Sequence, residues 1–175
     1  HYLYRTLTQN FWLIDHYPGY IFNFEGAVRY QWAKEYYPTE YERLKNYIKA
    51  GRWNISGSSW DSTDPNIPSP ESFFRNLLYG QEFFKKEFGK KSNDIFLPDC
   101  FGFGYTLPTI AAHSGIIGFS TQKLQHRKLP FYGDHKLPFM FGLWEGIDGA
   151  RIMAVPHAQD YVSRFDGQEL SKNGK

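Results

Sequence analysis

The run Asp94-Ile95-Phe96-Leu97-Pro98-Asp99-Cys100-Phe101-Gly102-Phe103-Gly104-Tyr105 joins a short apolar segment to a lone carboxylate, with glycines and aromatic rings behind it. Such a run predicts a strand that stops on an acid. In sheets fed by helices, the loops at the carboxyl ends of the strands open toward one crevice and gather ligands. Asp99 is therefore the candidate functional residue, and the rest of the chain is read as scaffold around it.

Working upstream, Ser69 and Pro70 supply a polar cap and a first-turn proline for a helix whose apolar stripe is Phe73, Leu77, Phe84 and Phe88, with Phe74 and Leu78 alongside and Gly89 as the stop. Before it, Gly57 to Ser69 is turn-rich and far longer than the usual connection of about 4–6 residues, which marks a functional loop. Trp53-Asn54-Ile55-Ser56 reads as a strand. Helical patterns run from Ala27 to Tyr37 and from Thr39, as cap, to Ala50, with Gly51 ending the second. Tyr20 to Glu25 reads as a buried strand with Glu25 at its carboxyl end. Residues 1–17 place Leu3, Leu7, Phe11, Leu13 and Ile14 near helical spacing, closed by Pro18-Gly19.

Downstream, a short helix from about Leu107 to Ser114 leads through Gly115 into a strand over Ile116 to Thr121. Residues 125–137 are loop-like and basic. Two further strands, Phe139 to Trp144 and Arg151 to Val155, are joined by Glu145-Gly146-Ile147-Asp148-Gly149 as a hairpin turn. Alternating helices and strands predict an α/β fold with a parallel sheet, open or curling toward a barrel.

The formal charge of +2, with no long basic run, argues against nucleic acid as a partner. No apolar run approaches the ~20 residues that span a bilayer, so no membrane partner is expected and the chain is read as soluble. It opens on His1 without Met, which reads as a cut start. The single cysteine, Cys100, excludes an internal disulfide and any multi-cysteine metal site. Aromatics at 19% fit either a rigid core or ring-stacking surfaces, and core is the commoner use.

Gly102-Phe103-Gly104-Tyr105-Thr106-Leu107 has the strand-to-helix setting of a dinucleotide loop, but Leu107 stands at the third glycine position. No acid follows at the next strand end, so a nucleotide site is not expected. Asp99 is chemically suited to be a nucleophile or a metal ligand, and a turn or capping acid is the structural alternative. Asp94, at the strand entry, fits that structural role better. His16, His113, His126 and His135 stand singly; His157 and Asp160 follow the last strand, without a His-x-Asp or His-x-x-x-His pair anywhere.

Several stretches together resemble the amino-terminal catalytic domain of glycoside hydrolase family 38, the retaining α-mannosidases. They are Tyr20 to Glu25, Gly51-Arg52-Trp53, Gly57-Ser58-Ser59-Trp60 with Asp64, Pro68-Ser69-Pro70-Glu71-Ser72, Leu78-Tyr79-Gly80-Gln81, Leu97 to Gly102, Leu107-Pro108, Thr121-Gln122-Lys123 and Trp144 to Gly149. Their order and spacing carry the resemblance, over most of the chain. It implies a seven-stranded, barrel-like parallel sheet, of which residues 1–175 would be an incomplete part of one catalytic domain.

The resemblance also implies a retaining mechanism on mannose-containing glycans, with Asp99 as nucleophile and as ligand of a divalent ion, zinc or else calcium. Phe101 matches an aromatic beside the nucleophile. Lys123 falls on a cationic position where the family usually has arginine. Trp60, Asp160 and Tyr161 are further substrate-binding candidates, although Asp160 and Tyr161 stand in the reverse of the family's order. The family's His-x-Asp-x-x-Trp motif, its acid/base Asp and its last ligand His have no counterpart in the sequence. With one of the ~4 donors zinc requires, this piece alone is expected to hold metal poorly and to leave substrate unturned, the remainder of the parent chain being its necessary partner. The alternatives are a metal-dependent polysaccharide deacetylase, and a non-catalytic carbohydrate-binding module built on Trp60, Phe101, Phe103 and Tyr105.

Overall fold

The structure is a computed structural model that describes residues 2–123 and 141–156. In chain order its elements are α1 (Tyr2–His16), β1 (Phe22–Glu25), α2 (Ala27–Tyr36), α3 (Pro38–Lys49), β2 (Trp53–Ser56), α4 (Pro70–Phe88), β3 (Asp94–Phe96), α5 (Leu107–His113), β4 (Gly118–Thr121), β5 (Gly142–Glu145) and β6 (Arg151–Pro156). The α/β alternation read from the sequence is present.

The sheet departs from the expected one. The described residues form a two-stranded sheet, β1-β2, and a four-stranded sheet in the order β3-β4-β6-β5. Pairings β1-β2, β3-β4 and β4-β6 are parallel, whereas β5 runs antiparallel to β6. A tight turn joins β5 directly to β6, and a hairpin connection permits only the antiparallel sense. The described residues thus build an α/β fold with two small sheets, and a seven-stranded barrel is not seen among them.

Strand periodicity sorts the side chains. Trp53 and Ile55 of β2, Ile95 of β3 and Phe119 of β4 are buried under helices. The alternate residues Asn23, Glu25, Asn54, Ser56, Asp94, Phe96 and Ser120 line a hollow of about 500 Å³ on the other face. Across it Asn54 Nδ2 donates to Asn23 Oδ1 at 2.9 Å.

Two apolar clusters lie under the helices. One gathers Leu7, Phe11, Ile14, Tyr30, Leu44, Trp53 and Phe84; the other gathers Phe73, Leu77, Ile95, Ile110, Ile116 and Phe119. Helix α4 contributes to both, Phe73 and Leu77 to the second and Phe84 to the first, and so ties the halves together. Leu78, placed beside the stripe by sequence, is instead more than half exposed. In the first cluster the buried polar atoms pair with one another: Trp53 Nε1 donates to Tyr30 Oη at 3.1 Å, and Tyr30 Oη donates to the Phe24 carbonyl at 2.8 Å. Burial pushes the Tyr30 phenol well above its usual range.

Helix ends follow local chemistry. Ser69 Oγ accepts from the Ser72 N–H at 3.2 Å, Pro70 fills the first turn, and Gly89 closes α4 at φ +66°. Thr39 does not cap α3: Pro38 is already helical and Tyr37 precedes it as the cap. Proline suits the first helical position because its missing N–H would have no partner there. Arg52 closes α1 from across the fold, donating through Nη2 to the carbonyls of Ile14 (2.9 Å) and Tyr17 (2.6 Å).

Candidate active site

Parallel pairing places the ends of β3 and β4 side by side, and Leu97 N–H still donates to the Ser120 carbonyl at 3.0 Å beyond the ladder. The chain then turns through Pro98 and Asp99. After β4, buried Thr121 accepts the Lys123 N–H on Oγ1 at 3.2 Å, which fixes where the lysine departs. Lys123 Nζ reaches Asp99 Oδ1 at 2.7 Å and stands 4.9 Å from the centre of the Phe101 ring. The Asp99 side chain is 68% exposed and that of Lys123 25%. An ammonium group held on an aromatic face thus fixes and balances an accessible carboxylate.

The structure therefore brings Asp99, Phe101 and Lys123 together. Trp60 has other partners: its ring packs edge-on against Phe83, and its backbone accepts from Val28 and donates to Asn76. Phe103 turns inward onto Phe119 with ring centres 5.0 Å apart, while Phe101 and Tyr105 stay exposed. The four rings named for a binding module therefore form no single platform. Asp160 and Tyr161, with His126, His135 and His157, lie outside the described residues.

Asp94 is built in. Its carboxylate accepts from Ser56 Oγ at 2.6 Å, Ser92 Oγ at 2.7 Å and Gly57 N–H at 3.2 Å. Buried Gln81 holds Ser92 in turn, accepting its N–H at 3.1 Å and donating to its carbonyl at 2.5 Å. Glu25 at the end of β1 is paired with Arg29 at 3.0 Å and accepts from Ser62 Oγ at 2.8 Å. His113, read as a lone surface residue, bonds Asp148 Oδ2 through Nε2 at 2.8 Å. Burial first, then the charges of Asp64 and Asp99, push the Cys100 thiol up, so the neutral thiol is favoured and the sulfur is no activated nucleophile.

The sequence reading missed the partners across the loops. The long segment after β2 leans on the turn after β3, with Asn66 Nδ2 donating to the Gly102 carbonyl at 2.7 Å and Cys100 Sγ to the Thr63 carbonyl at 3.6 Å. Helix α4 comes so close that a Cβ at Gly80 would collide with the Ser58–Ser59 backbone. The signal available was the glycine inside an otherwise helical pattern.

Among the described residues no three His, Cys, Asp or Glu side chains gather to hold a metal ion. Asp99 offers one carboxylate, already engaged by Lys123. The described residues thus do not fit a divalent ion by themselves.

The site thus sets an accessible carboxylate at the exit of a parallel strand, paired with a cation and flanked by an exposed ring. The model of the "Glycosyl hydrolases family 38 N-terminal domain" matches residues 1–173. This chain belongs to glycosyl hydrolase family 38. Alpha-mannosidase G of Dictyostelium discoideum is 42% identical over an aligned length of 175, covering 98% of this chain and 16% of that protein. Alpha-mannosidase 2C1 of Homo sapiens is 34% identical over 161 residues, 91% of this chain and 15% of that protein. The family 38 chain thus spans about one sixth of the length of the relatives it matches. The crystal structure of an alpha-mannosidase from Enterococcus faecalis V583 superposes with a TM-score of 0.74 at 23% identity, covering 87% of this chain and 17% of that one, a likeness of fold.

Proposed function

We propose that this chain is the nucleophile-bearing part of a retaining α-mannosidase acting on mannose-containing glycans, with Asp99 as the nucleophile. The observation that carries the reading is the Asp99–Lys123 ion pair at the strand ends, beside the exposed ring of Phe101. In the first step Asp99 Oδ attacks the anomeric carbon, and the bond to the leaving oxygen breaks as a second carboxyl group gives that oxygen a proton. In the second, water attacks the same carbon and yields its proton to that group, which releases Asp99. The acid/base group lies outside the described residues.

Lys123 pairs with the Asp99 carboxylate at 2.7 Å and orients it for attack. Arginine would offer a planar fork, whereas lysine offers a compact charge that swings aside as the glycosyl ester forms. Phe101 is assigned to the apolar face of the sugar, and Trp60, Asp160 and Tyr161 to more distant substrate contacts. A divalent ion, zinc by preference, would take Asp99 as its one donor from the described part of this chain and would supply charge stabilisation at sugar hydroxyls.

The test is covalent trapping in the full-length protein. A 5-fluoro-mannosyl fluoride should label the peptide containing Asp99, and Asp99→Ala should lower turnover of an aryl α-mannoside about a thousandfold or more. A label on another carboxylate, or turnover by Asp99→Ala near the parental rate, would overturn the assignment.

A further inference from the structure

We infer that Asn66, in the long loop after β2, is a positioning residue for the Asp99 turn, a role that rests on the nucleophile reading above. Its side-chain amide donates from Nδ2 to the Gly102 carbonyl at 2.7 Å, while its own N–H donates to Asp64 Oδ1 at 2.8 Å. The first bond reaches across to the neighbouring loop, and the second folds the loop of Asn66 onto itself. The fit around the amide is close: a Cβ at Gly102 would lie 3.2 Å from Asn66 Nδ2, and one at Gly104 3.7 Å from Oδ1.

What the amide holds is the backbone just after Phe101. Gly102 is tied to Asn66, and Cys100 is tied by its thiol to the Thr63 carbonyl three residues before Asn66. Phe101 sits between these two anchors. Its ring carries the Lys123 ammonium at 4.9 Å, and that ammonium meets Asp99 at 2.7 Å. A shift of the Gly102 carbonyl therefore moves the ring, the cation and the carboxylate in sequence, without any contact between Asn66 and the sugar. Displacing reacting groups by ~1 Å costs up to about a hundredfold in rate.

The chemistry of the donor makes the role specific. Asn66→Asp keeps size and shape but replaces the donor by an acceptor that faces a carbonyl, and Asn66→Ala removes both. In the full-length protein each variant should lower the rate constant for covalent mannosylation by an aryl α-mannoside about tenfold to a hundredfold. KM should change less than kcat, and amide hydrogen exchange over residues 100–104 should quicken. A merely structural Asn66 would lower the thermal midpoint and leave the kcat of the folded enzyme in place.

Mannosylation within twofold of the parent for both variants, well below their midpoints, overturns the inference. So does unchanged exchange over residues 100–104. Asp99→Ala run in parallel separates the two failures. If that variant turns over normally the nucleophile reading itself falls, whereas if it is inactive while the Asn66 variants are normal only the positioning role does.

Discussion

Asp94 and Asp99 stand at opposite ends of β3 and are used in opposite ways. Asp94 accepts hydrogen bonds from Ser56, Ser92 and Gly57, and those donors come from the end of β2 and the loop before β3. The ladder is interrupted between β2 and β3. The Asp94 carboxylate bridges that gap, and its bonding capacity is consumed in closing the seam. Asp99 is two-thirds exposed, and its ion pair is to Lys123, whose ammonium also lies over the Phe101 ring. A carboxylate ringed by part-buried donors builds the fold, and one that pairs with a cation while two-thirds exposed remains accessible for chemistry.

Asp99→Ala should leave the thermal midpoint of the full-length protein nearly unchanged while turnover falls as stated above, because an exposed ion pair contributes about 0–1 kcal/mol. Asp94→Ala should do the reverse. It strands Ser56 Oγ, Ser92 Oγ and the Gly57 N–H, each part-buried, and should destabilise the domain by about 2–4 kcal/mol. Its kcat per folded molecule should stay within a few-fold of the parent. An unshifted midpoint for Asp94→Ala would show that the seam is held by something other than the carboxylate.

A third acid sharpens the contrast through pH. Asp148 accepts from Thr109 Oγ1 at 2.7 Å and faces His113 Nε2 at 2.8 Å, and these bonds, Thr109 first, lower its pKa from 3.8 to about 2. A carboxylate depressed in the folded state adds stability above its unfolded value and loses it as pH falls through its folded one. The thermal midpoint should therefore drop between about pH 4 and pH 2, and Thr109→Val should shrink that drop. An identical pH profile in parent and variant would mean that the bonds to Asp148 do not differ in strength between its two protonation states.

Most of the fold was legible because it rests on local rules. The stripe of α4, its Ser69–Pro70 entry, its Gly89 exit and the hairpin at Gly146–Gly149 lie within a few residues of their causes. The place of Asp99 was legible as an acid at a strand exit, and family resemblance named Phe101 and Lys123, which lie beside it. Long-range pairing was not legible. No local pattern says that Ser92 and Ser56, far apart in sequence, will share Asp94, or that Asn66 will reach Gly102. Nor does helical spacing show that Leu78 faces solvent, since the width of a buried stripe depends on what packs against it.

The smallest expected effect lies in the turn that Asp94 fixes. Ser58 follows Gly57 with φ +52°, a left-handed conformation that costs a residue with a Cβ about 1–2 kcal/mol. It is fully buried, and its hydroxyl finds no hydrogen-bond partner among the described residues. Ser58→Gly removes both penalties and adds back about 0.5–1 kcal/mol of chain entropy. The net expectation is stabilisation by about 1 kcal/mol, read as a higher thermal midpoint. Strain in this turn persists because the surroundings hold it, with Gly57 N–H on Asp94 and the Ser58 carbonyl against Gly80. Relaxing the turn should therefore also reduce the loss caused by Asp94→Ala, so that the double variant is more stable than the sum of the single effects. Strict additivity would mean that Asp94 holds the strand seam alone and has no part in holding the turn.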